Sequence, residues 1–141
     1  MDYNMLKLEN QICFPLYACS KEIIRKYKPF LDPLGITYTQ YITLLALWDE
    51  DKLTVKALGE KLYLDSGTLT PLLKKMEGQN LIKRVRSSDD ERNVCINLTE
   101  KGLKLKDKAS VVPAQIGQCI SLSRDEALFL HQTLHKILKQ I

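Results

Sequence analysis

Apolar residues recur along the chain in blocks that share helix faces. From Leu6 to about Leu31 good helix formers predominate, and Leu16, Ile23, Ile24, Tyr27, Phe30 and Leu31 fall on one face, which predicts a long first helix. Pro15 lies inside it and removes the donor for the Gln11 carbonyl, so a kink or a ragged first turn is expected beside Cys13. Asp32 to Ile36, DPLGI, breaks the pattern, and Tyr41, Leu44, Leu45 and Trp48 then mark a second helix over 38–48. Thr54 is placed to cap a short third helix ending at Leu62. Asp65 or Ser66 caps a fourth running to about Glu77, with Leu69, Leu72, Leu73 and Met76 inward and Gly78 as its stop.

After these helices the period changes from helical to alternating. Leu81 to Arg86 reads as a strand, SSDDERN as a polar turn, and Val94, Ile96 and Leu98 as the inward positions of a second strand. Thr99 caps a fifth helix, and SLSRDE at Ser121 to Glu126 opens a sixth whose Leu130, Leu134, Ile137 and Ile141 form an apolar stripe. Two short helices joined by a tight turn form a helix-turn-helix, and a hairpin directly after the second helix makes a wing. The expected fold is therefore mainly α with a small β-hairpin wing: a winged helix-turn-helix of six helices in a single domain. Residues 53–99 form the DNA-binding unit, and 5–34 and 100–141 the dimerisation helices. Apolar stripes at both ends have no evident partner in so small a domain, so a homodimer is expected, the alternative being that the two ends pack on each other within one chain.

Composition adds limits rather than a function. The chain has 141 residues, 45% hydrophobic and 27% charged, a formal net charge of +4 and a pI near 8.8. That balance permits a polyanionic partner without requiring one. No run approaches the roughly 20 apolar residues of a membrane span and MDYNMLKLENQ lacks a secretory layout, so a cytoplasmic protein with no membrane partner is expected. Cys13, Cys19, Cys95 and Cys119 are scattered with no C-x-x-C, and in a reducing compartment they rest as thiols. His131 and His135 have metal-compatible spacing, yet no carboxylate or cysteine completes a set, so neither metal nor cofactor is expected. No phosphate loop or nucleophile-base-acid trio points to an enzyme.

The order of elements, together with DSGTLTPLLKKMEGQNLIKRVRSSDDERNVCINLTEKG, resembles the MarR family of transcription factors over nearly the whole chain. Asp90-Glu91-Arg92, Leu98-Thr99 and Gly102 carry the most recognisable part. NQICF around Cys13, GITYTQY at Gly35 to Tyr41 and LYLDSGTLTPLLKK at Leu62 to Lys75 resemble the organic hydroperoxide repressors and their staphylococcal thiol redox-sensing relatives. The resemblance implies a repressor that senses organic peroxides or related oxidants through Cys13, read out by tyrosines across the dimer interface, matched here by Tyr27 and Tyr38. It further implies that Cys119 acts as a resolving thiol in an intersubunit disulfide, while a low-molecular-weight thiol is the other possible cap for oxidised Cys13.

The residues themselves suggest how each task is met. Ser66, Thr68 and Thr70 offer short hydroxyls to base edges at the start of the recognition helix, with Lys74 and Lys75 further along. Arg92 at the wing tip has the reach to enter a minor groove, oriented by Asp90; the alternative is an exposed ion pair worth at most about 1 kcal/mol. Lys83, Arg84 and Arg86 read as phosphate contacts. A two-fold dimer would read a pseudo-palindromic duplex with half-sites about one helical turn apart. A sensing cysteine needs hydroxyl donors or a positive dipole, and Tyr17, one turn beyond Cys13, is a local candidate. Cys19 and Cys95 read as small buried hydrophobes. Three alternatives stand beside the redox repressor: release by a small aromatic ligand in the cleft beneath the dimer helices, a thiol peroxidase, and a winged-helix protein-interaction module.

Overall fold

The computed structural model describes residues 1–86 and 93–141. Seven α-helices and one small sheet make up this part: α1 (Cys13–Leu31), α2 (Tyr38–Asp49), β1 (Leu53–Thr54), α3 (Val55–Leu62), α4 (Ser66–Gly78), β2 (Ile82–Arg86), β3 (Val94–Leu98), α5 (Glu100–Ala109), α6 (Val112–Cys119) and α7 (Arg124–Leu138). The mainly α, winged helix-turn-helix reading holds, with one helix more than expected. Residues 112–119 form α6, which has no side-chain N-cap and carries proline in its first turn.

Four helix starts are fixed by a capping side chain at the N-cap. The hydroxyl of Thr54 accepts from the Ala57 amide, the carboxylate of Asp65 from Thr68, the hydroxyl of Thr99 from Gly102, and that of Ser123 from Glu126. Each satisfies one of the donors that a helix start leaves without an intrahelical acceptor. Thr37 does the same for α2 in a reciprocal box with Gln40. The stop of α4 differs from expectation: Gly78 is the last helical residue, Gln79 is the C-cap, and Asn80 takes the left-handed conformation at φ 60°.

The first helix also begins later than its composition suggests. Residues Asn4–Leu6 and Leu8–Asn10 form single 3-10 turns, and α1 starts at Cys13. Pro15 is thus the third residue of the helix, where a backbone N–H has no intrahelical acceptor to lose. The ragged start is the outcome.

The sheet is antiparallel in the order β1-β3-β2, with Leu53 opposite Ile96 and Arg84 opposite Ile96 on the other side. Ile82 and Ile96 send their side chains into a core shared with Leu44, Leu47, Leu58, Leu69, Leu73 and Met76. That core binds α2, α3, α4 and the sheet into one body. Trp48 fastens α5 to it, its Nε1 donating to the Gly102 carbonyl at 2.9 Å.

The two ends contrast with this centre. Leu31 is the one fully buried residue of α1, and α7 has none. Phe14, Leu16, Tyr17 and Ile24 on α1, and Leu128, Phe129, Leu130 and Ile137 on α7, are exposed. No helix is long and apolar enough to cross a membrane among the described residues.

Candidate nucleic-acid interface and thiol site

The inward positions of α4 are Leu69, Leu73 and Met76, all in the core. Its exposed sides carry Ser66, Thr70 and Lys74 along one flank, spaced by four, and Thr68 and Lys75 along the other. Core packing therefore fixes the rotation of the helix and leaves these polar positions in solvent, with short side chains nearest its N-terminus. Pro71 sits within the helix and leaves the Gly67 carbonyl without its helical donor, on that same outer face.

The strand arginines divide into two roles. Arg84 Nη2 and Nε donate to Glu77 Oε1 at 3.0 and 3.2 Å, and the Arg84 amide donates to Glu77 Oε2 at 3.0 Å. Hydrogen bonds from Arg84, side chain first and backbone second, hold the Glu77 carboxyl below the usual carboxylate range. Arg84 thus braces the end of α4 against β2, a task its sequence context did not suggest. Arg86 stands exposed at the end of β2 opposite Val94, and Lys83 is exposed opposite Asn97. Asp90 and Arg92, the expected minor-groove pair, lie outside the described residues.

Cys13 is exposed as the first residue of α1, at the end where backbone N–H groups lack intrahelical acceptors. Tyr17 lies one turn further along, exposed, with the Lys21 ammonium 5.0 Å from its ring centroid. Tyr27 is almost four turns away on the same helix. There it meets Tyr38 and Tyr41, with ring centroids 4.8 Å and 5.7 Å away. Burial, and then the neighbouring phenols, push the Tyr27 hydroxyl up; burial alone does so for Tyr38; burial and Tyr38 do so for Tyr41. The cluster is a set of protonated hydroxyls held in a half-dry recess, and Tyr41 is a member that sequence reading missed although its position in GITYTQY was visible. Within one chain, Cys13 and this cluster are not brought together.

The remaining cysteines are free. Cys119 ends α6, exposed, its Sγ 3.5 Å from the Gln115 carbonyl, and α6 packs along α1. Cys19 is exposed on α1, against the expectation of a buried hydrophobe, because its side of α1 is left uncovered by its own chain. Cys95 is half-buried in β3 between Thr54 and Val85. His131 and His135 approach each other on α7, Nε2 to Nε2 at 3.1 Å, and among the described residues no group of three or more potential metal ligands gathers.

Comparison with known proteins agrees with this geometry. The family model described as transcriptional regulator SarA/Rot matches residues 25–109. An organic hydroperoxide resistance transcriptional regulator from Bacillus subtilis (strain 168) is 52% identical over 139 residues, 99% of this chain and 95% of the relative. The structure of overoxidized AbfR bound to DNA superposes with a TM-score of 0.80 at 36% identity, covering 99% of this chain and 98% of that one. Disulfide-formed AbfR, also 36% identical and covering 95% and 94% of the two chains, gives 0.66. The present chain therefore has the shape of the DNA-bound relative more than that of the cross-linked one.

Proposed function

This chain belongs to the MarR family of winged-helix transcriptional regulators, in the branch of the organic hydroperoxide regulators, and we propose that it is a cytoplasmic homodimeric repressor switched by oxidation of Cys13. The reduced dimer holds a pseudo-palindromic operator with Ser66, Thr68 and Thr70 of each α4 at base edges, and Lys74, Lys75 and Arg86 on phosphates. The wing residues Asp90 and Arg92 serve the minor groove. Residues 53–99 do the reading; 5–34 and 100–141 join the subunits.

One observation carries the sensor: an exposed thiol heads a helix whose apolar flank is uncovered, nearly four turns from its own tyrosines. Covering α1 and α7 with a second copy removes the exposed apolar stripes and allows Cys13 of one subunit to meet Tyr27 and Tyr38 of the other. Tyr17 adds a hydroxyl from the same chain. The phenols, kept protonated by burial, donate to the sulfur and hold it where an oxidant can reach it.

The chemistry is a two-electron oxidation. The Cys13 thiolate attacks the outer oxygen of an organic hydroperoxide, the O–O bond breaks, and the departing alkoxide takes a proton to leave as an alcohol, giving a sulfenic acid. A second thiol then forms the S–S bond and releases water. Cys119 of the partner is the preferred second thiol; a low-molecular-weight thiol performs the same step where Cys119 is out of reach. The lower similarity to the disulfide-formed relative supports a cross-link that reshapes the protomer. Release follows because the oxidised dimer binds the operator less well than the reduced one.

Titrating operator binding with an organic hydroperoxide tests this reading. The native protein should lose the operator as Cys13 is oxidised and regain it with dithiothreitol, and Cys13→Ser should stay bound throughout. An equal response in Cys13→Ser refutes the sensor and favours a ligand-released repressor.

A further inference from the structure

We propose that Gln40 and Gln79 form the mechanical link through which the tyrosine end of α2 governs the recognition helix. This inference rests on the redox reading above and names the residues that transmit its signal; neither glutamine touches DNA or the thiol.

Gln40 is 1% exposed and is one of two buried polar side chains among the described residues. A buried amide persists only if its donors and acceptor are engaged. Its Oε1 accepts from the Thr37 amide at 3.1 Å, and its Nε2 donates to Gln79 Oε1 at 2.8 Å. Gln79 Nε2 in turn donates to the Gly35 carbonyl at 3.0 Å. Gly35 holds a left-handed turn at φ 69°, so that carbonyl is fixed in direction. The Gln79 backbone is held as well: its amide donates to Lys75 and its carbonyl accepts from Lys101 Nζ at 2.8 Å.

Position turns this network into a coupling element. Gln40 is the third residue of α2, in the same turn as Tyr38 and next to Tyr41. The reciprocal Thr37–Gln40 box makes that turn move as a unit, so a displacement of Tyr38 displaces Gln40. Gln79 is the C-cap of α4, the helix that carries Ser66, Thr70 and Lys74. An amide pair between α2 and the end of α4 has a preferred length and direction and is either made or broken. Breaking it leaves the buried Gln40 amide without its Gln79 partner, so the pair favours two discrete arrangements over a continuum.

The test uses the full-length dimer and tert-butyl hydroperoxide, reading the ratio of operator Kd after and before oxidation, with Cys13 oxidation followed by intact mass. Gln79→Met keeps the length and the backbone cap but removes the amide. It should be oxidised at Cys13 at the native rate while the Kd ratio drops by about tenfold. Adding Gln40→Met should lower the ratio no further, because one interaction is already lost. Thr43→Val, which removes the other buried polar side chain of α2, should leave it unchanged and so separates the relay from general loosening of the helix. A native ratio in Gln79→Met, or an equal drop in Thr43→Val, overturns the proposal. A native protein whose Kd does not change on oxidation overturns the redox reading itself, and the relay with it.

Discussion

The rings of Tyr27 and Tyr38 meet with centroids 4.8 Å apart and planes tilted by 55°, and both hydroxyls sit where burial disfavours the phenolate. With Tyr41 they form one cluster whose protonated form is favoured by folding. Groups raised in the folded state contribute stability that is complete below the ordinary phenol range, near pH 10, and is lost as the pH rises through the raised values. Thermal midpoints should therefore fall steeply above about pH 10, and phenolate absorbance should show a late component that shrinks in Tyr27→Phe. A late component of unchanged size in Tyr27→Phe would show that Tyr27 does not belong to it.

Glu77 has the opposite sign. Arg84 lowers its carboxyl, so its contribution is present above the ordinary carboxylate value and is lost as the pH falls through the lowered one. Urea midpoints followed from neutral pH to below about pH 4 should decline less steeply in Glu77→Gln than in the native chain. Parallel curves would mean that the pair couples to nothing in folding. Glu77→Gln should also loosen the end of α4 and weaken operator binding modestly.

Leu69 and Thr70 are neighbours on α4 pointing about 100° apart, one fully buried and one exposed. Leu69→Ala should cost about 2–5 kcal/mol of stability. Thr70→Val should change stability by less than about 0.5 kcal/mol. Its cost should appear instead as roughly 1–3 kcal/mol of operator affinity. Paired denaturation and binding curves check both, and similar effects of the two substitutions on stability would contradict the orientation of α4.

Gly102 has no room for a side chain. A Cβ there would overlap the Leu81 carbonyl oxygen and stand 3.3 Å from Leu98 Cδ2, because the first turn of α5 presses on the entry to β2. Gly102→Ala should destabilise by about 3 kcal/mol or more, since the obstacle is backbone. Gly78→Ala meets nothing and should stabilise by roughly 0.5 kcal/mol. Thermal unfolding of the two variants gives the contrast directly.

What could be read from the sequence follows the range of the interaction. Thr54, Asp65, Thr99 and the SLSRDE start act on amides three residues away, so local spacing suffices to find them. The two-residue strand β1 has no period to detect and exists because β3 offers it an edge. The α6 helix lacks a capping side chain and escaped for that reason. Nothing in the sequence pairs Glu77 with Arg84 across the α4–β2 turn, or Gln40 with Gln79 across 39 positions, although the T-x-x-Q box at Thr37 was visible. Cys13 was legible through its motif, and its separation from Tyr27 follows from the single long helix expected over both, which α1 bears out from Cys13 to Leu31.

That separation is about 21 Å of helix rise, too far for a hydrogen bond within one chain. Mixed dimers test its consequence most directly, pairing a Cys13→Ser subunit with a subunit carrying Tyr27→Phe and Tyr38→Phe. The single remaining Cys13 lies on the subunit without the two hydroxyls and faces the native tyrosines of its partner. Tyrosines acting across the interface predict oxidation by tert-butyl hydroperoxide at the native rate. Oxidation as slow as in the homodimer of the tyrosine variant would contradict the account.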